Sequence, residues 1–444
     1  MDLLSATAAN HMELKMKNAF NRSTLGHTRP ALPGFVTSRI ERYYRERVQE
    51  TWAGGHIMRG LTPGPDALHL SSNDYLAIAR HPDIIGSMAK TLLENGNGLL
   101  MSGIFLHGDC PQLRFETRLA TFMNAEAGVL CQSGYAANTG LIQSIASAQT
   151  PVYVDMMAHM SLWEGIRSAG AAPIAFRHND VTHLDQQIRR YGQGVVLVDS
   201  VYSTTGGVCR LVEMADICET HGCVFVVDES HSLGTHGPEG AGLVVELGLE
   251  SRVAFRTASL AKAFAGRAGF ITCPVDFQEY FKFESNPAIF SSTLLPHEIS
   301  GLDATLSVIE RSGRRRARLA SSAAWLRQRL TELGYNLNGS ESQIIALEAG
   351  TEQRTIVLRD ALESRGIFGS VFCAPATPRN RALIRLSIHA NLSDAQVERI
   401  ASVCRDIRGE VELDKWSSTR RLGDELSSRR RRREAVSETS AVTA

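Results

Sequence analysis

Lysine is scarce in this chain. Of 47 basic residues only six are lysines: Lys15, Lys17, Lys90, Lys262, Lys282 and Lys415. Any amine chemistry therefore has very few candidates. Net charge is missing too, since 47 acidic residues balance the 47 basic ones across 444 residues. That balance argues against a protein built mainly to coat nucleic acid or an anionic membrane. No apolar run approaches the roughly 20 residues that a membrane helix needs, and the mean hydropathy is -0.11. The N-terminus lacks a basic start followed by a long apolar core, so no secretory signal is read there and a cytoplasmic protein is expected. The eight cysteines are scattered, with no Cys-x-x-Cys pair. They read as buried thiols, neither a disulfide framework nor a zinc site, and no metal is expected. No lysine stands in Gly-x-x-x-x-Gly-Lys. Nucleotide hydrolysis is therefore discarded, although Val226-Val227-Asp228-Glu229-Ser230-His231 has the letters of a helicase box.

What is present is an ordinary globular composition, 43% apolar and 21% charged. Residues 1–67 read as a polar N-terminal segment with an arginine-rich amphipathic helix over 36–52. From 68 to 297 the pattern is strand, loop, helix, repeated. Apolar runs at Gly128–Cys131, Val152–Asp155, Val195–Asp199, Val224–Asp228, Val253–Thr257 and Gly269–Cys273 predict strands. They are continuous, not alternating, as a sheet covered on both faces requires. Their spacing implies crossover helices and a mostly parallel sheet. Three of them end in Asp155, Asp199 and Asp228, and ligands of open α/β sheets bind at such carboxyl ends. Residues 298–412 read as a smaller α/β domain. It opens with a long helix over 298–334, followed by strands at Ser342–Leu347, Gly369–Cys373 and Leu383–Ser387. Residues 413–444 read as a polar, disordered tail carrying five arginines, Arg429–Arg433.

Four constellations carry chemistry. Asp228 closes a strand and His231 follows it in the loop. Lys262 stands among small residues in Thr257-Ala258-Ser259-Leu260-Ala261-Lys262, just past a strand. Burying an ammonium is costly, and the same burial makes the amine nucleophilic; taken alone, Lys262 reads equally well as a lysine snorkelling to the surface. Ser133-Gly134-Tyr135-Ala136-Ala137-Asn138 opens a helix with small residues, where backbone N–H groups meet a phosphate. His159 lies in the loop after Asp155. Together they fit pyridoxal phosphate (PLP), which needs an amine, a carboxylate for its ring nitrogen, a phosphate cup and a flat group against its ring.

The order of these residues resembles the α-oxoamine synthases, a branch of the fold-type-I PLP enzymes, from Ser72-Asn73-Asp74-Tyr75-Leu76 to about residue 407. The resemblance implies a large PLP domain, a smaller C-terminal domain and a homodimer with active sites at its interface. It implies that Asp228 pairs with the ring nitrogen, that His231 and Ser203 lie near the ring hydroxyl, and that His159 stacks on the ring. It places Ser133, Gly134, Tyr135, Asn138 and Ser259 around the cofactor, and Ser292 as a phosphate contact reaching from the partner subunit. Arg385, helped by Asn73, would grip the amino-acid carboxylate. The runs Ala158–Gly165, Val227–Pro238, Thr257–Lys262, Pro287–Pro296 and Phe368–Cys373 are similar to the branch that makes a long-chain α-aminoketone signal for quorum sensing.

Two stretches depart from the family. Gly96-Asn97-Gly98-Leu99-Leu100-Met101-Ser102-Gly103 lacks the arginine usual there, and Cys110–Glu116 lacks the usual histidine. Both changes bring apolar groups toward the expected acyl site, which disfavours a short polar acyl donor. The expected reaction joins a small amino acid, such as 2-aminobutyrate or an activated methionine derivative, to a medium- or long-chain acyl-CoA. The alternatives are another α-oxoamine synthase, a non-catalytic partner subunit and, more distantly, a nucleic-acid binder using Arg429–Arg433.

Overall fold

A computed structural model describes residues 31–337 and 339–421. The Arg429–Arg433 run lies outside the described residues. Two units are distinguished, divided between His56 and Ile57. In the first, Gly34–Arg42 is α-helical and Tyr43–Thr51 continues as a π-helix. Trp52 is buried there, with the Arg47 guanidinium 5.0 Å over its ring.

Among the described residues, every strand lies in the second unit. They are β1 (Leu68–His69), β2 (Ala127–Cys131), β3 (Val152–Asp155), β4 (Pro173–Phe176), β5 (Val195–Asp199), β6 (Val224–Asp228), β7 (Phe255–Ser259), β8 (Gly269–Cys273), β9 (Ile344–Gly350), β10 (Ile367–Phe368), β11 (Ser370–Phe372) and β12 (Ala382–Ser387). Seven form one sheet in the order β2-β8-β7-β6-β5-β3-β4. Only β8 runs against its neighbours. The expected mostly parallel α/β architecture is present, and its cause is visible in the side chains. Val195 and Leu197 of β5 enter one hydrophobic cluster, while Val196 and Val198 enter another on the opposite face. Both faces are covered, so apolar residues are needed at every position. The smaller sheet, β11-β12-β9, is antiparallel.

Four readings need correction. β4 was not anticipated: it opens on Pro173 at the sheet edge, where a missing N–H costs no ladder bond. The single helix expected over 298–334 is two, Pro296–Glu310 and Gly313–Glu332. Ser312 breaks it, with ψ at 28° and its hydroxyl donating to the Val308 carbonyl at 2.7 Å. Residues 413–418, expected as the start of a disordered tail, are packed: Leu413, Trp416 and Ser418 are buried and the Trp416 indole donates to the Val411 carbonyl at 2.9 Å. The boundary expected at 297/298 is also no break in packing. Leu302, Leu306 and Ile309 share a core with Leu260 and Phe264.

Candidate active site

The carboxyl ends of β5, β6 and β7 lie side by side, with Asp199 opposite Asp228 and Asp228 opposite Thr257. Asp228 is buried. One carboxylate oxygen accepts from the Ser230 N–H at 2.8 Å and the other from Asn138 Nδ2 at 2.7 Å. Asn138 sits in the second turn of the helix Gly134–Ile145. Both ends of its amide are engaged: Nδ2 also donates to Ser161 Oγ at 2.8 Å, and Oδ1 accepts from Thr257 Oγ1 at 2.5 Å. Asn138 was expected in the phosphate cup; its side chain instead orients Asp228.

Ser161 Oγ lies 2.7 Å from His159 Nδ1, and the His159 N–H donates to Asp199 Oδ1 at 3.1 Å. His159 caps the helix Met160–Ser168, which fixes the start of its side chain while leaving the residue exposed. Asp199 is held well above the usual carboxylate range, first by burial and then by Asp228 beside it.

Lys262 occupies the turn between β7 and β8. Leu260, Ala263 and Phe264 are buried around it, and the Ala265 N–H closes the turn onto the Lys262 carbonyl at 2.8 Å. Ala265 takes a φ of 48°, a left-handed conformation that a non-glycine residue adopts only where its surroundings demand it. Among the described residues, the Lys262 amine makes no hydrogen bond or ion pair. Burial lowers its pKa, the Arg385 charge lowers it further, and Asp228 opposes them.

Ser133 caps the helix Gly134–Ile145, its Oγ accepting from the Ala136 N–H at 3.1 Å. A Cβ at Gly134 would lie 2.5 Å from the Ser259 Cβ and 2.8 Å from its Cα. The helix N-terminus is therefore in direct contact with Ser259 at the end of β7, and free backbone N–H groups there suit an anion. Ser259 is itself held through its N–H by Ser230 Oγ at 2.8 Å. Tyr135 is half exposed at this end.

Arg385, on β12, crosses from the small sheet. Its Nη1 donates to the Ser203 carbonyl at 2.8 Å and its Nη2 to Asn73 Oδ1 at 2.9 Å. Its buried Nε has no partner. Ser203 thus meets Arg385 through its backbone. Ser292 pairs with Ser102 in a backbone bridge and is exposed, and its hydroxyl bonds to none of these groups. His231 is buried, its Nδ1 2.6 Å from the Tyr75 hydroxyl. Burial, with Lys262 and Arg385 nearby, holds it well below the ordinary histidine pKa, so the ring is neutral.

Sequence reasoning missed Tyr75, Thr257, Ser161 and Ser230 as members of this group. Thr257 had a signal, its place one strand over from Asp228. Glu229 and Asp155, in or beside the motifs, serve the scaffold. Glu229 accepts from Ser232 Oγ and the Val244 N–H at 3.0 Å each. Asp155 accepts from Tyr202, His178 and two backbone N–H groups.

A lysine of lowered pKa, an oriented carboxylate, an anion cradle and a guanidinium fork converge here. Residues 65–403 match the family model of class I and II aminotransferases. The chain belongs to the aminotransferase class I and II family. Within it, the chain is 44% identical over 387 residues to the CAI-1 autoinducer synthase of Vibrio campbellii, covering 87% of this chain and 98% of that one. It is 29% identical over 333 residues to a putative 8-amino-7-oxononanoate synthase of Halalkalibacterium halodurans, covering 74% and 84%. A serine palmitoyltransferase of Sphingomonas wittichii shares the fold with a TM-score of 0.76 at 26% identity, covering 86% of this chain and 98% of that one. A serine palmitoyltransferase structure with PLP gives 0.78 at 25%, covering 85% and 99%. The fold is that of the fold-type-I PLP transferases, and the enzyme is PLP-dependent. Its residues fit that cofactor: the unpartnered Lys262 amine and the Gly134 approach to Ser259 are hard to explain as scaffold alone. Among the described residues, no helix is long and apolar enough to cross a membrane.

Proposed function

We propose that this enzyme condenses a small L-amino acid with a medium- or long-chain acyl-CoA, releasing CoA and CO₂, to give an α-aminoketone that is the precursor of an α-hydroxyketone autoinducer. The observation that carries the chemistry is the meeting of Lys262, Asp228, His231 and Arg385 at the strand ends. The similarity to the Vibrio campbellii synthase supports the product class.

PLP supplies an aldehyde for the amine and a ring that takes up electrons from the amino-acid Cα. When PLP is bound, Lys262 would hold it through its amine and would serve as the base for the amino-acid Cα proton; its lowered pKa suits both tasks. Asp228 keeps a proton on the ring nitrogen. Asn138 and the Ser230 N–H fix the direction of that carboxylate. His159 covers the ring face. His231 and Ser203 serve the ring hydroxyl. Ser133, Gly134, Tyr135 and Ser259 receive the phosphate, with Ser292 of the second copy in a homodimer. Arg385 and Asn73 bind the carboxylate and so decide which Cα bond stands perpendicular to the ring.

The acyl chain is assigned to the segment bearing Leu99, Leu100 and Phe105, whose side chains are exposed. This segment is tied to 288–293 by Ser102 Oγ on the Ala288 carbonyl at 2.9 Å and by the Thr293 N–H on the Met101 carbonyl at 2.8 Å. A cytoplasmic location is part of the proposal, and eight free cysteines suit a reducing compartment.

Two measurements test this reading. Incubation with mixed small amino acids and mixed acyl-CoAs, read by mass spectrometry, should give a long-chain aminoketone built from aminobutyrate or a methionine derivative. A product from glycine, alanine or serine would instead make the protein another α-oxoamine synthase. A colourless protein that makes no product would make it a partner subunit. Second, Arg385→Lys should raise the amino-acid KM roughly 10- to 100-fold with a smaller change in kcat, since a lysine cannot replace the fork that contacts Ser203 and Asn73. An unchanged KM would remove Arg385 from carboxylate binding.

A further inference from the structure

Tyr75 has no role in the scheme above, yet it is fully buried and ends on a group that does. Its hydroxyl lies 2.6 Å from His231 Nδ1 and 3.3 Å from Asn73 Oδ1. Asn73 Oδ1 already accepts from Arg385 Nη2 at 2.9 Å. The phenol has one proton to donate. The contact to Nδ1 is short, whereas 3.3 Å is beyond the usual O–H···O range. With the proton on the short contact, Nδ1 carries none of its own. The His231 carbonyl is pinned separately, accepting from Gln343 Nε2 at 2.8 Å, so the loop cannot rotate to trade partners cheaply.

We infer that Tyr75 is a positioning residue that fixes the tautomer of His231, placing its single ring proton on Nε2, the nitrogen left free to donate into the site. The neutral state of the ring makes the tautomer decisive: with one proton only, the wrong nitrogen would present a lone pair where a donor is wanted. Because Tyr75 lies two residues beyond Asn73, the same short segment steadies both the carboxylate grip and the imidazole.

The inference rests on the proposed assignment of His231 to the cofactor ring, and the test separates the two. Protein labelled with 15N-histidine and loaded with PLP is measured by long-range proton–nitrogen correlation. The His231 signal is identified as the one of 14 histidines lost in His231→Gln. Nε2 should be the protonated nitrogen; a protonated Nδ1 would overturn the inference without touching the assignment of His231. A double-mutant cycle supplies the functional readout. Tyr75→Phe should lower kcat about tenfold in the parent, with the amino-acid KM little changed. In the His231→Gln background the same change should cost roughly twofold or less, because an amide N–H donates without a tautomer to set. Equal losses in both backgrounds would mean that Tyr75 acts only through packing. Full activity of His231→Gln alone would overturn the assignment and the inference together.

Discussion

Lys262→Ala is expected to abolish turnover and to abolish covalent retention of PLP after borohydride reduction and denaturation. Only six lysines exist in the chain, and this one lies beside Asp228 and Arg385 without a partner of its own. The amine does two jobs in the proposed scheme, so its loss should cost more than the roughly 10²–10⁴-fold that a general base alone contributes. A second readout follows from its charge. Burial lowers the Lys262 pKa from its usual 10.5, so the unfolded chain binds more protons at this residue than the folded one. The lysine therefore destabilises the cofactor-free protein at neutral pH, and that penalty shrinks as pH rises toward 10.5. Cofactor-free Lys262→Ala should melt higher than the parent at neutral pH, by a margin that narrows in alkali. Retained turnover in the variant would sink the assignment; a lower melting temperature would show the lysine to be part of the scaffold.

Asp228→Asn should keep PLP bound while kcat falls by roughly 10²–10⁴-fold. The carboxylate accepts from Asn138 Nδ2 on one oxygen and from the Ser230 N–H on the other. An asparagine has only one oxygen to offer, so one of those donors must face an NH₂ group. The variant thus loses the charge that keeps the ring nitrogen protonated and one of the two bonds that aim the group. Asn138→Ala separates the effects, because it removes the aim while sparing the charge. It should cost less than Asp228→Asn. If Asp228→Asn turned over at the parent rate, the electron-sink role would be lost.

Legibility differed by element, for physical reasons. β3, β5, β6 and β8 coincide with the expected spans because strands buried on both faces leave unbroken apolar runs. β4 is a proline-led edge strand and leaves no such run. The packing that holds Trp416 is likewise invisible in a polar C-terminal composition. In the site, Asp228 stood out as a chargeable group at the end of an apolar strand, and Lys262 as one of six lysines, set among small residues just past a strand. Tyr75 did not, because its partner His231 is 156 residues away.

By itself, then, the order of residues determined the alternation of strands and helices, the strand ends where chemistry gathers and the scarcity of amines that singles out Lys262. These depend on local pattern, which a linear string records. Only the tertiary structure decided that Asn138 aims Asp228, that Arg385 reaches Asn73 and Ser203, and that Tyr75 meets His231. Each of those is a hydrogen bond between segments 90 or more residues apart, made or lost over less than an ångström, and no local pattern encodes such a distance.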